Sequence, residues 1–97
     1  MRCLDGKKGL IFGVANDRSL AWGIARSCHR EGAELGFTYF GEALQKRVVP
    51  LAEQLHSDFV LPCDLNVDAE IAKVFHAVGE RWGQLDFVVH AVAFAKK

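Results

Sequence analysis

The sequence predicts an α/β fold built on a parallel β-sheet with helices on both of its faces. Four short apolar runs alternate with three stretches in which apolar residues recur at helical spacing. The runs are nearly continuous in apolar residues, which is typical of parallel strands that are buried on both sides. The expected strands cover residues 9–14, 33–39, 58–63 and 85–92, and the expected helices cover residues 19–31, 42–56 and 68–82.

The first strand leads through Gly13 into a polar turn, after which Ser19 opens the first helix. A serine hydroxyl at this position can accept a hydrogen bond from an unpaired N–H group of the first turn. Gly32 is expected to end the helix, because glycine readily adopts the left-handed conformation found at helix ends. Gly23, inside the helix, is expected to let it lie close against the sheet.

The second and third helices each carry one apolar stripe. The stripe of the second consists of Leu44, Val48, Leu51 and Leu55, and that of the third consists of Ile71, Val74, Phe75, Val78 and Trp82. Pro50 is expected to kink the second helix or to start a separate segment. Asn66 or Asp68 is expected to cap the beginning of the third helix, and Gly83 is expected to end it.

The alternation of strands and helices predicts a Rossmann-type sheet, of which this chain supplies a βαβαβαβ part. In such a sheet the first strand is central, and the fourth lies beside it where the strand order reverses. The fourth strand, at residues 85–92, would then be an exposed apolar edge, which complete domains cover. We therefore expect residues 1–97 to be the N-terminal portion of a single domain that continues beyond residue 97.

Composition argues against several classes of function. Twelve Lys and Arg residues balance twelve Asp and Glu residues, so no charge excess favours nucleic acid or an anionic membrane. No apolar run reaches membrane-spanning length, and the N-terminus lacks a signal-peptide core. The three cysteines, Cys3, Cys28 and Cys63, show no C-x-x-C spacing, so we expect reduced thiols in a cytoplasmic protein. The four histidines show no H-x3-H spacing, which argues against a metal site, and His90 is expected to be a buried, hydrogen-bonded strand residue.

Ligands of parallel α/β sheets bind at the carboxyl ends of the strands, beside the point where the strand order reverses. There the turn from Gly13 to Ser19 presents unpaired N–H groups and the positive end of a helix dipole, which favours a phosphate or pyrophosphate. The spacing is G-x5-S-x3-G rather than the common G-x-G-x-x-G. We expect Gly13, Ser19 and Leu20 to hold the pyrophosphate and ribose of a nicotinamide dinucleotide, with Ser19 acting as a helix cap, a ligand contact or both.

The ends of the second and third strands predict contacts with the adenosine half. Phe40 stands where an acid usually binds the adenosine ribose, and no Arg adjoins it, so NADH is only mildly favoured over NADPH. The Phe40 ring could pack on the adenosine or simply bury apolar area. Asp64 could accept a hydrogen bond from the adenine amine while the Leu65 N–H donates to a ring nitrogen. Alternatively, Asp64 could only cap the turn before the third helix.

Four segments of the sequence resemble one known family. They are L-x-G-K-x-G-L-I-x-G-V-A-N-D-R-S-L-A-W-G-I-A, H-R-E-G-A-E-L-x-F-T-Y, L-P-C-D-L and L-D-F-V-V-H-A. Together they resemble the enoyl-acyl-carrier-protein reductases of bacterial type II fatty-acid synthesis, which are divergent short-chain dehydrogenase/reductases. The resemblance covers essentially the whole chain. It implies a homotetrameric, NADH-dependent enzyme that reduces the trans-2 double bond of an acyl chain carried on acyl carrier protein.

The resemblance also implies roles for individual positions. In that family the positions matching Gly13, Ser19, Leu20, Phe40, Asp64, Leu65 and Val92 bind the dinucleotide, and the position matching Ala95 lies beside the acyl group. Phe40 stands where the family usually has Gln. The resemblance implies that the family's catalytic Tyr-x6-Lys pair lies beyond residue 97, and Tyr39, the one tyrosine, belongs to the end of the second strand rather than to that motif. We therefore assign no catalytic residue and expect the isolated chain to be inactive.

Two other interpretations of the sequence stay open. The chain could be a truncated fragment that binds a dinucleotide weakly and catalyses nothing. It could also belong to a carbonyl-reducing short-chain dehydrogenase, although such enzymes usually carry a tighter G-x3-G-x-G loop than the Gly-x5-Ser turn found here.

Overall fold

The computed structural model describes residues 3–91, which form one four-stranded parallel sheet and three helices. Strands and helices alternate along the chain, as the apolar patterns predict. The strands are β1 (Lys8–Phe12), β2 (Glu34–Tyr39), β3 (Val60–Pro62) and β4 (Phe87–His90). The helices are α1 (Leu20–Arg30), α2 (Glu42–Gln54) and α3 (Asp68–Trp82).

The strand order is β3-β2-β1-β4, which confirms the predicted Rossmann-type arrangement. The strand order reverses at β1, which pairs with β2 on one side and β4 on the other. Gly9, for example, lies between Leu35 of β2 and Phe87 of β4. The carboxyl ends of all four strands therefore lie along the same edge of the sheet.

Helices cover both faces of this sheet. Successive residues of a strand point to opposite faces, and β1 shows this clearly. Ile11 packs in an apolar cluster with residues of α1 and α2, whereas Leu10 and Phe12 pack in a second cluster with residues of α3. All three side chains are buried, which explains why β1 reads as a continuous apolar run.

The glycines predicted to end α1 and α3 are confirmed, whereas the residue predicted to cap the start of α3 is not. Gly32 follows α1 with a φ of 99°, and its N–H donates to the carbonyl of His29, which confirms the predicted stop. Gly83 ends α3 in the left-handed conformation, also as predicted. The prediction that Asn66 or Asp68 caps α3 is wrong, because Val67 holds the cap position and no side chain caps the helix.

Two predictions about the helix interiors are also corrected. Gly23 faces open space, so it does not allow α1 to approach the sheet. Close approach occurs instead at Gly9 and Gly36 in the strands, where an added Cβ would collide with the rings of Phe87 and Phe59 respectively. Pro50 starts no separate segment, because α2 continues through it as one helix, while the alternative of a kink at Pro50 stays a prediction.

Two residues expected to be buried are exposed. Phe75 belongs to the predicted stripe of α3, but its side chain is 41% exposed, while Val74 and Val78 carry the contact with the sheet. His90 is exposed and contacts the ring of Phe12, and no hydrogen bond to its side chain is found within residues 3–91. Among these same residues, no helix combines the length and hydropathy needed to cross a membrane.

Candidate dinucleotide site

A cleft of about 500 Å³ opens at the carboxyl edge of the sheet. Its volume falls within the range of roughly 300–1,000 Å³ that is common for small-molecule sites. The lining is mostly apolar, and it comes from the ends of the strands together with the starts of α1 and α2. The lining residues are Phe12, Gly13, Val14, Ala15, Ser19, Leu20, Thr38, Tyr39, Phe40, Leu44, Cys63, Leu65 and Ala91.

The turn from β1 to α1 forms one wall of the cleft. Gly13 leaves the strand with a φ of 110°, a conformation that side chains disfavour but glycine accepts. Farther along the turn, the N–H of Arg18 donates to the side-chain carbonyl of Asn16 at 2.8 Å. The backbone carbonyl of Asn16 in turn accepts from the N–H of Ser19 at 3.2 Å. These local bonds fix the path of the chain into α1.

The hydroxyl of Ser19 does not cap α1 as predicted. It donates to the carbonyl of Asn16 at 2.9 Å and accepts from the N–H of Ala15 at 3.4 Å. Both bonds lie within the turn between β1 and α1, so the hydroxyl stabilises the turn rather than the helix end. Ser19 nevertheless holds the N-cap position, because its backbone carbonyl accepts from the N–H groups of Trp22 and Gly23. The side chain therefore organises the turn, while the helix end remains open.

The first turn of α1 keeps free hydrogen-bond donors at the cleft. Within residues 3–91, the N–H groups of Leu20 and Ala21 have no protein acceptor. No acidic residue lies in this turn, so nothing on the helix neutralises the positive end of its dipole. An anionic group seated there would receive hydrogen bonds and a favourable potential at the same time.

Two exposed hydrophobic side chains belong to the cleft. Phe40 follows β2 and is 62% exposed, and Leu20 begins α1 and is 72% exposed. Single exposed apolar side chains are common on protein surfaces, but these two both line the same cleft. Their position suits a flat apolar group such as a nucleobase. The structure places Phe40 in the lining of the cleft rather than in the core, and its contact with adenosine stays a prediction.

The end of β3 supplies a polar contact beside the cleft. Leu65 lines the cleft, and its N–H has no acceptor within the described part of the chain. Asp64 is not among the lining residues. One of its carboxylate oxygens accepts from the N–H of Asn66 at 2.9 Å, and its own N–H donates to the carboxylate of Glu70 at 2.7 Å. Asp64 therefore shapes the turn before α3, the alternative role that the sequence left open.

Cys63 is the buried thiol of the cleft. Burial raises the pKa of its side chain, and the negative charges of Glu70 and Asp64 raise this pKa further. The thiol is therefore protonated at neutral pH and acts as a small apolar wall rather than as a nucleophile.

Five of the predicted site residues come together in the cleft. They are Gly13, Ser19, Leu20, Phe40 and Leu65. Asp64 lies next to the cleft in sequence, while Val92 and Ala95 lie outside the described residues. The cleft is also lined by residues for which the sequence predicted no site role, namely Val14, Ala15, Thr38, Tyr39 and Leu44, the last of which was expected only in the apolar stripe of the second helix. Four of these lie within three residues of the carboxyl end of β1 or β2, so closeness to a strand end is the sequence feature that predicts their place in the cleft.

Comparison with known proteins decides the family. The model of a family described as enoyl-(acyl carrier protein) reductase matches residues 13–97. The chain belongs to the enoyl-(acyl carrier protein) reductase family. Among curated members of this family, an NADH enoyl-[acyl-carrier-protein] reductase 2 from Rhizobium meliloti is 58% identical over 94 residues. That alignment covers 97% of this chain and 35% of the relative, so the chain spans about a third of that enoyl reductase's length.

Solved structures of enoyl reductases share the fold. A crystal structure of FabI from Candidatus Liberibacter asiaticus superposes with a TM-score of 0.96 at 49% identity, covering 100% of this chain and 38% of that one. An enoyl-(acyl-carrier-protein) reductase from Anaplasma phagocytophilum, determined in complex with NAD, gives a TM-score of 0.91 at 51% identity. That match likewise covers 100% of this chain and 38% of the other.

Proposed function

We propose that this chain is the dinucleotide-binding part of an NADH-dependent enoyl-acyl-carrier-protein reductase, which reduces the trans-2 double bond of an acyl chain during fatty-acid elongation. The observation that carries the proposal is the cleft at the carboxyl edge of the sheet, in a chain that belongs to this family. The Rhizobium meliloti relative is named as an NADH enzyme, and the Anaplasma structure contains NAD. Both features support NADH as the cofactor.

The residues of the cleft fit a dinucleotide. A pyrophosphate needs donors and a positive potential, and the unpaired N–H groups of Leu20 and Ala21 lie at the positive end of α1. Gly13 keeps that wall free of a side chain. Phe40 offers an apolar face to the adenine, and the free N–H of Leu65 offers a donor to one of its ring nitrogens.

We assign the remaining predicted contacts by the same proposal. The second carboxylate oxygen of Asp64 accepts from the adenine amine, while the first stays bonded to Asn66. Val92 contacts the nicotinamide side of the dinucleotide, and Ala95 lies beside the acyl group. When bound, NADH supplies the hydride that reduces the substrate's double bond. The role of this chain is to bind and orient the dinucleotide, since Tyr39 is its one tyrosine and belongs to β2.

The partners follow from the family. The substrate is an enoyl group carried on acyl carrier protein, and we expect the active assembly to be a cytoplasmic homotetramer that binds neither nucleic acid nor membrane. The isolated 97-residue chain is expected to bind NADH and to reduce nothing. Tyr39 and Lys46 have the Tyr-x6-Lys spacing, but Tyr39 ends β2 and Lys46 lies in α2, so we do not assign them the catalytic role.

Titration of the purified chain with NADH tests the binding half of the proposal. A saturable change in nucleotide fluorescence is expected, with competition by NAD. The absence of any saturable change at millimolar NADH would contradict it. The reaction is tested separately in a protein that joins this chain to the family's Tyr-x6-Lys segment. NADH oxidation is expected with a crotonyl thioester but not with a simple ketone, and the reverse preference would indicate a carbonyl reductase.

Replacing Phe40 by alanine is expected to weaken NADH binding by about two- to tenfold. An aromatic contact of this kind contributes roughly 0.5–1.5 kcal/mol beyond the area that it buries. Phe40→Tyr keeps the ring and is expected to bind NADH like the parent. Phe75→Ala removes a comparably exposed ring from α3, on the other face of the sheet, and serves as the matched control. Equal affinities for Phe40→Ala and Phe75→Ala in the fluorescence titration would exclude an adenosine contact.

A further inference from the structure

Two histidine side chains meet at the end of the molecule opposite the cleft. His29 lies in the last turn of α1, and His56 lies just after α2. Their ring centroids are 5.6 Å apart, and the ring planes are inclined by 40°. Both helices start at the carboxyl edge of the sheet and run back along it, so their C-terminal ends lie far from the proposed dinucleotide site.

The backbone holds both histidines in place. After α2, the N–H of His56 donates to the carbonyl of Glu53 and the N–H of Ser57 donates to the carbonyl of Ala52. The hydroxyl of Ser57 also donates to the carbonyl of Leu35, which ties this helix end to the sheet. At α1, the carbonyl of His29 accepts from Gly32. Neither imidazole therefore depends on a loose loop for its position.

His56 occupies a backbone position that usually belongs to glycine. Its φ is 60°, and it is the one residue other than glycine with a positive φ among residues 3–91. The left-handed conformation is uncommon for residues other than glycine, although His adopts it more often than most, and helices that end in this way commonly carry Gly there. α1 and α3 do carry glycine at the corresponding place, Gly32 and Gly83. The end of α2 thus carries an imidazole at a position where glycine fits the backbone, and this places the His56 ring beside that of His29.

The spacing of the two rings suits one bound metal ion. With a metal–nitrogen distance of about 2.0–2.1 Å, each ring centre lies about 3 Å from the ion, so two imidazoles on a tetrahedral ion have centres about 5–6 Å apart. The C-terminal ends of α1 and α2 both direct the negative ends of their dipoles toward this place, which favours a cation.

We propose that His29 and His56 together bind a divalent transition-metal ion of the kind that prefers imidazole, such as Ni²⁺ or Zn²⁺. The bound ion links the ends of α1 and α2. Within the described residues, no group of three or more His, Cys, Asp or Glu side chains is arranged to hold a metal. The ion is therefore held by two protein ligands and keeps open positions for water or an added donor, so it exchanges readily. The site is independent of the proposed enzyme activity.

Thermal unfolding of the tag-free protein with added NiCl₂ or ZnCl₂ tests the site. Binding to the folded state alone raises the midpoint temperature, and an ion at tenfold its dissociation constant is expected to raise it by about 6–11 °C. A chelator should reverse the rise. All proteins carry Cys3→Ser, since the exposed thiol of Cys3 would bind the same ions.

The variant His56→Gly separates metal binding from folding. Glycine suits the left-handed backbone, so this variant is expected to unfold at a temperature no lower than the parent while losing the metal-dependent rise. His29→Gln is expected to lose the rise as well. His76→Gln is the matched control, because His76 is an exposed histidine on α3, and it should keep the full rise. The proposal is overturned if the parent shows no rise, or if the rise survives in His56→Gly or His29→Gln.

Discussion

Replacing Phe37 by alanine is expected to lower the free energy of unfolding by about 3–5 kcal/mol. Phe37 is fully buried in β2 and packs in the apolar cluster beneath α1 and α2. It lies opposite Ile11 of β1, and its N–H donates to the carbonyl of Phe59. Removing the ring leaves a cavity between the sheet and two helices. Because small domains are stabilised by about 5–15 kcal/mol in all, this loss is a large fraction of the total.

Urea unfolding followed by circular dichroism measures the effect, with Phe75→Ala as the matched control. Phe75 undergoes the same change of side chain, but it is 41% exposed on α3. We expect a loss below about 1 kcal/mol for Phe75→Ala, since little buried area disappears. Should Phe37→Ala fail to fold, Phe37→Leu provides the measurement, with an intermediate loss expected. Similar losses at Phe37 and Phe75 would contradict the assignment of the core.

The fold could be predicted because its strongest signals are local. A strand buried on both faces must be apolar at every position, and β1 shows this from Gly9 to Phe12. Helix C-termini were predicted correctly because the left-handed conformation at Gly32 and Gly83 is a property of the backbone alone. Once strands and helices alternate with short connections, few topologies remain, and the observed strand order is among them.

The residues predicted wrongly depend on what packs against them. Phe75 lies on the edge of the α3 stripe, and sequence spacing does not tell how far the sheet extends to cover that edge. His90 alternates outward on β4, the strand at the edge of the described sheet. Gly23 is expected from its residue type to contact the sheet, but the buried residues Ala21 and Ala25 define the face of α1 that does so, and Gly23 points away from it. The helical spacing of the buried residues therefore indicates the outward position of Gly23 more reliably than the residue type does.

The candidate site was predictable to the extent that it is made of strand ends. Gly13, Phe40 and Leu65 each follow a strand, and parallel strands bring their carboxyl ends to one edge. The hydroxyl of Ser19 was assigned to the wrong hydrogen bond, because its choice between a helix N–H and a turn carbonyl depends on the path of the whole turn. The role of Asp64 is equally hard to predict, because its carboxylate can accept either from the N–H of Asn66, as it does here, or from a bound adenine.

Replacing Gly13 by valine is expected to weaken NADH binding by about ten- to a hundredfold. Gly13 has a φ of 110°, which a β-branched residue adopts only at a cost of about 1–3 kcal/mol. The valine side chain would also occupy the wall of the cleft that lies beside the free N–H groups of α1. If the turn shifts to relieve this strain, those N–H groups lose their alignment with the pyrophosphate, and each 1.4 kcal/mol lost weakens binding about tenfold.

The variant Gly83→Val distinguishes the effect of backbone strain from the effect of a side chain that occupies the cleft. Gly83 also has a positive φ, but an added Cβ there meets nothing within 4 Å, and the residue lies at the end of α3 away from the cleft. Both variants are expected to lower the urea midpoint, because both force valine into a conformation that suits glycine. NADH affinity, measured by nucleotide fluorescence in the absence of urea, should fall in Gly13→Val alone. Equal affinity in the two variants would mean that the turn between β1 and α1 does not hold the dinucleotide.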